Sequence, residues 1–170
     1  MTNKQLILNE IERVDELQYE PLETKYEKVQ FVSTILVYAF LMLLPLLLLL
    51  AKNFDGKLLV LIGIECVLLL AGIINLWLIP KAYLFKGFAI REHDITYRSG
   101  IIFPNIVTIP FCKVQQISVN QNPLTRMFGL YAVEIVNGAQ MMASTIIPGL
   151  TEKRANEIKV LLTERVKHEN

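Results

Sequence analysis

Two apolar runs, joined by a short polar turn, limit what this chain can become. The first, Phe31 to Ala51, holds no charged residue. The second, Leu58 to Ile79, holds one, Glu65. At about 1.5 Å per residue each run reaches roughly 30 Å as a helix, the thickness of a bilayer's hydrocarbon core. The reading is a two-span α-helical membrane hairpin over residues 31–79. A charged leader, 1–30, precedes it, and a strand-rich domain, 80–170, follows. The first run exceeds a signal-peptide core, its leader is acidic, and no small-x-small site follows Ala51, so it reads as a permanent span.

Charge is uneven along the chain. Residues 1–80 carry six Lys/Arg against nine Asp/Glu, and residues 81–170 carry eleven against seven. A mildly basic domain beside a bilayer is either attracted to anionic lipid headgroups or simply well solvated. Cys66 and Cys112 cannot make a disulfide framework, and no cysteine or histidine cluster has metal-ligand spacing. Lys/Arg near the outer ends of the spans (Arg13, Lys25, Lys28, Lys81, Lys86, Arg91, Arg98) outnumber those in the turn (Lys52, Lys57). This bias puts both termini on the cytoplasmic side of a cell membrane.

In the leader, Ile7, Ile11, Val14 and Leu17 recur at helical spacing between acidic residues, which predicts a short amphipathic helix ending before Pro21. Pro45 should kink the first span. Glu65 is costly inside a membrane, and so is a candidate intramembrane functional residue; the other reading is a structural or oligomer contact. Trp77 suits an interfacial belt.

After Pro80 the period shortens. Strands are predicted over Tyr83–Arg91, Ile95–Arg98, Ile101–Phe103, Asn105–Ile109, Val114–Val119, Leu130–Val136 and Ala139–Ile147. Asn137-Gly138 is a hairpin signal, and Pro148-Gly149 is expected to break the last strand. Thr151 then caps a helix whose Ala155, Ile158, Leu161, Leu162 and Val166 form one apolar stripe. The domain reads as an α+β unit: an antiparallel curved sheet or partly open barrel capped by a C-terminal helix.

Four motifs then fall in order: Tyr97-Arg98-Ser99-Gly100, Ile109-Pro110-Phe111-Cys112-Lys113-Val114-Gln115, Pro123 to Leu130, and Ile147-Pro148-Gly149-Leu150. Behind a two-span hairpin, this order resembles the membrane-anchored bacterial pleckstrin-homology (PH) family, the YdbS-like proteins. The resemblance runs from about Leu22 to Val166 and implies a PH-like fold. The chain departs from many relatives in its short turn after the Leu130 strand.

Arg98, Lys113 and Arg126 are the cations inside these motifs. They are candidates either for an anion or acidic-partner contact, or for buttressing backbone carbonyls and pairing with Glu92, Asp94 or Glu134. In eukaryotic domains of this fold, phosphoinositide binding needs a basic cluster in the first hairpin loop. Here Arg91 stands between Ile90 and Glu92, with Asp94 close by, which argues against that activity.

The chain shows no phosphate-binding loop, dinucleotide fingerprint, zinc-protease motif or nucleophile elbow. No basic stripe interleaved with aromatics supports nucleic-acid binding. No cofactor is expected, and an enzyme is not. The expectation is an interaction or scaffold module at the membrane, assembling with another membrane protein or with itself, and docking through an exposed sheet edge or the groove beside the terminal helix. A transport or lipid-handling accessory using Glu65, or an anionic-lipid sensor, is the alternative.

Overall fold

A computed structural model describes residues 17–50, 56–138 and 144–169. The predicted leader helix over residues 7–17 lies almost wholly outside them, as do most of the connecting turn and the tip after Asn137-Gly138.

The hairpin forms as its composition demands. Helix α1 runs Lys25–Leu43, and α2 runs Lys57–Phe85. Pro45 has no N–H to donate, so the α-helix ends ahead of it and the chain tightens into a 3-10 helix over Pro45–Leu50. Leu44 N–H donates to the Leu41 carbonyl and Leu47 N–H to that of Leu44. The helices meet closely at Gly72, where an added Cβ would lie 3.3 Å from the Tyr38 ring. Small residues permit such approach between membrane helices. Elsewhere the spans present bare apolar surface, with Leu59 78% and Leu50 77% exposed.

The second helix does not stop at Pro80. It continues to Phe85 with Pro80 inside it, so Tyr83–Phe85 are helical and not the start of a strand. Proline costs one helix hydrogen bond, but the helix buries Ile79 just before it and Tyr83 in the turn beyond it. The Tyr83 hydroxyl donates to the Leu22 carbonyl at 2.7 Å.

The domain is built from two antiparallel sheets. The first has the order β1-β2-β3-β4, from Glu20–Pro21, Gly87–Ile90, Asp94–Ser99 and Asn105–Pro110. The second has the order β5-β6-β7, from Val114–Asn120, Tyr131–Asn137 and Ser144–Leu150. The sheets do not close into a barrel. Strand β1 precedes the hairpin in sequence yet pairs with β2 after it, Glu20 opposite Phe88 and Pro21 opposite Gly87. The spans are therefore inserted between the first two strands of the domain, and the domain is not confined to residues 80–170.

Two further differences from expectation have physical causes. Residues Ile101–Phe103 form no strand; Gly100 to Pro104 is the loop between β3 and β4. Pro148-Gly149 does not end β7, which runs on to Leu150. Gly149 takes φ 67°, and the register against β6 shifts between Tyr131 and Val133, so the irregularity is absorbed inside the strand.

The core lies between the sheets. Phe88, Ile95, Ile109 and Phe111 meet Val133, Ile135, Ile147 and Leu150, with Leu22 and Tyr83 entering from the hairpin side. Helix α4, Glu152–Glu169, packs Ala155, Ile158 and Leu162 onto β5 and β6. Leu161 is 39% exposed, so the buried stripe is narrower than predicted. Arg154 of α4 forms an ion pair with Glu20, tying the closing helix to β1.

Candidate interaction site at the membrane face

The seam between the hairpin and the domain makes a groove. Its wall on one side is the first turns of α1, from Tyr26 to Thr34. On the other side are the end of β5, helix α3 (Pro123–Met127) and the outer face of β6 and β7. The cavity holds about 580 Å³. Helix α3 is set by a capping box: Asn122 Oδ1 accepts from Thr125 N–H at 2.8 Å, and Asn122 N–H donates to Thr125 Oγ1 at 3.0 Å.

The groove lining mixes polar and apolar side chains. The Gln30 side-chain oxygen is buried there without a hydrogen-bond partner among the described residues. Such an acceptor is expensive to leave unsatisfied. The Glu134 carboxylate accepts from Asn120 Nδ2 at 2.6 Å. Ser33 and Thr34 face the same space, and Ile146, half exposed, lies at its edge. The lining contains one carboxylate and no Lys or Arg. A donor group such as an amide or ammonium suits this chemistry; an anion does not.

The structure disperses the three motif cations. Arg98 Nε donates to the Phe85 carbonyl at 2.9 Å, and its guanidinium lies over the rings of Tyr19 at 4.2 Å and Phe85 at 4.5 Å. It satisfies the end of α2 and clamps that helix to the first sheet. Lys113 lies exposed in a 3-10 turn, Phe111–Lys113, just before β5; Arg126 lies exposed in α3, just after it. The seven residues of β5 separate them, on the order of 20 Å. Helix α3 packs on α1, so Arg126 lies on the membrane side. Lys113 lies at the opposite end, beside the β2–β3 turn, where Phe111 N–H donates to the His93 carbonyl.

That turn carries Arg91, the one cation near His93 and Asp94 in sequence. Here Arg91 is held in a two-bond ion pair with Asp94, at 2.8 and 2.7 Å. Burial raises the Tyr97 phenol well above its ordinary range, with Tyr26 adding to the effect. Burial also pushes the Lys86 ammonium below its own. Lys86 stands 5.4 Å from the Tyr26 ring.

Glu65 is half-buried on α2, with Oε1 enclosed and unpartnered among the described residues. The Gly72–Tyr38 contact sets the antiparallel register. Glu65 therefore lies level with Pro45, where α1 gives way to the 3-10 helix.

The Bacterial PH domain family model matches residues 22–166. The chain belongs to the bacterial PH domain family. The match begins at Leu22, just after β1 and ahead of the spans, so it covers the hairpin as well as the domain. Among curated proteins, the chain is similar to the UPF0699 transmembrane protein YdbS of Bacillus subtilis (strain 168). The two are 29% identical over 92 residues, 54% of this chain and 56% of that one. It is also similar to the UPF0699 transmembrane protein YdbT of the same organism, 33% identical over 81 residues, 45% of this chain and 16% of that one. The chain thus spans little more than half the length of the first and a sixth of the second. No solved structure matches it. With transmembrane relatives and two helices of this length and exposure, the protein is a membrane protein of the YdbS-like type.

Sequence reasoning named the cations and Glu65, and Glu134 only as a pairing partner for those cations; it missed Gln30 and Asn120. The available signal was the polar trio Gln30, Ser33 and Thr34 at the mouth of an otherwise apolar run.

Proposed function

We propose that this protein is a membrane-tethered docking module. It holds its PH-like domain at the cytoplasmic face of the cell membrane and assembles there with another membrane protein or with a second copy. The observation that carries this reading is the groove between α1 and the second sheet. It lies beside the first turns of α1, just ahead of the apolar run, and its lining includes the unpartnered Gln30 oxygen and the Glu134 carboxylate. The juxtamembrane stretch of a membrane-bound partner would reach it with backbone N–H groups or a lysine. The reading assigns no catalytic step.

The test is photo-crosslinking in native membranes from a reactive residue placed at position 146, on the groove edge. A discrete protein adduct, lost in Gln30→Leu and Glu134→Ala variants that remain folded, is expected. Adducts to lipid alone, or protein adducts indifferent to both substitutions, would overturn it.

One observation favours a second reading, a transport or lipid-handling accessory. The Glu65 carboxyl is enclosed opposite the break in α1. Glu65→Gln separates the two readings. An unchanged groove adduct with altered lipid or solute movement in reconstituted vesicles supports the accessory role, and no change in such movement removes it. Anionic-lipid sensing has less support, since Arg98 is committed to the Phe85 carbonyl and Lys113 lies at the far end of the domain, which leaves Arg126 as the one motif cation exposed on the membrane side. Salt-independent association of the domain face with anionic vesicles would remove it.

A further inference from the structure

The β3–β4 loop is apolar and exposed. From Ser99 to Pro110 the chain carries no charge. At the loop tip Ile102 is 64% exposed and Phe103 85%. Gly100, at φ 78°, makes the turn possible, because a Cβ there would collide with the Phe103 carbonyl. In water, three consecutive apolar residues on a loop tip would be an unfavourable use of surface.

The position of the tip points to what covers it. Residues Ile101, Ile102 and Phe103 stand across a cavity of about 520 Å³ from Ile74, Asn75 and Leu78 of α2. Those residues belong to the membrane span. Lys81, whose ammonium lies 3.7 Å above the Trp77 ring, marks the interface on that helix. Ile74 lies seven residues deeper, about 10 Å along the axis. Ile74 and Leu78 line the cavity, and Ile74 is half exposed, as a lipid-facing residue is. The apolar surface of the tip is thus continuous with the lipid-facing surface of α2.

We propose that the β3–β4 tip is a third membrane contact, with Ile102 and Phe103 inserted among lipid acyl chains beside α2. The loop backbone stays at headgroup depth, where water satisfies its polar groups, and only the side chains enter hydrocarbon. Two helices and one loop fix the tilt of the domain, which a helical hairpin alone would leave free to rock about its own axis.

The full chain tests this in phosphatidylcholine–phosphatidylglycerol vesicles. Cys66 and Cys112, both exposed, are replaced by alanine, and a nitroxide is attached at Phe103→Cys. Collision with oxygen and with a water-soluble nickel complex reports depth. Labels at Leu70→Cys, in the span, and Glu92→Cys, on the distal turn, are the references. The expected result is a nickel accessibility at least fivefold below that at position 92, with oxygen accessibility near that at position 70. Ile102→Cys should agree. Nickel accessibility equal to that at position 92 would overturn the proposal. An immobilised label shielded from both reagents would also overturn it, because the cover would then be protein.

Discussion

The two ends of the helical hairpin belong to the same pair of apolar runs and lie in opposite environments. At the domain end, Val29, Ile79 and Tyr83 are buried, Arg98 holds the last carbonyl of α2, and Tyr83 bonds the Leu22 carbonyl across 61 residues of chain. At the far end, α1 degenerates into a 3-10 helix, and most leucines from Leu43 to Leu50 are exposed. Leucine serves both ends, but lipid is as apolar as leucine, so only the domain end gains packing that water or lipid cannot replace. The near end is a structural joint. The far end needs only to be apolar and long enough.

The comparison can be broken most severely at Gly149. Its positive φ disfavours any side chain by about 1–2 kcal/mol, and a Cβ there would lie 2.6 Å from the Tyr26 ring of α1. Overpacking adds about 1–3 kcal/mol. Gly149→Ala should cost about 2–5 kcal/mol in total, read as a lower unfolding midpoint in detergent. A midpoint unchanged from wild type would mean that α1 is not seated on β7. Leu22→Ala comes next. Leu22 is 3% exposed, and emptying its site should cost about 3 kcal/mol. Tyr83→Phe removes one buried hydrogen bond and leaves the Leu22 carbonyl unpaired, for about 1.5 kcal/mol.

How much of this was legible depends on range. The spans, the order of the strands and the terminal helix are local patterns, and their periods are visible in the chain. Strand β1 was not visible: two residues cannot display an alternation, and their partner β2 lies beyond both spans. Helix α2 overran Pro80 because tertiary burial of Tyr83 outweighed a local breaker. The Ile101–Phe103 run was correctly read as apolar but wrongly as a strand, since hydropathy does not distinguish cover by a sheet from cover by lipid. Arg98 was legible as a cation, yet its role is decided by the Phe85 carbonyl. Asn120 and Glu134 meet through the β5–β6 pairing, and only the insertion of the hairpin brings Gln30 of α1 to the same groove.

A smaller effect probes the joint by pH. Burial raises the Tyr97 phenol above its ordinary value of 10.0, so the folded state keeps a proton that the unfolded chain releases. This contribution is complete below pH 10 and is lost as pH rises towards the raised folded value. Lys86 acts in the opposite sense, since its folded value is lowered from 10.5 and stability rises as it deprotonates. Unfolding midpoints followed from pH 8 to 11 should therefore decline above pH 10 in the wild type. Tyr97→Phe should decline less, and an identical decline would show that Tyr97 is not the buried group.

The smallest effect is the most diagnostic. Leu47→Ala makes the same chemical change as Leu22→Ala, at the other end of the hairpin. Leu47 is 62% exposed on the 3-10 helix, so its side chain meets lipid both in the folded protein and in an unfolded chain that keeps its spans. Truncation removes contacts that lipid supplies equally to both states, and the expected change is below about 0.5 kcal/mol. Unfolding of both variants in mixed micelles gives the ratio directly. If Leu47→Ala costs as much as Leu22→Ala, the far end is packed against something other than lipid. Glu65, level with Pro45, then becomes the centre of that interface, and its enclosed oxygen would be expected to find its partner on a neighbouring chain.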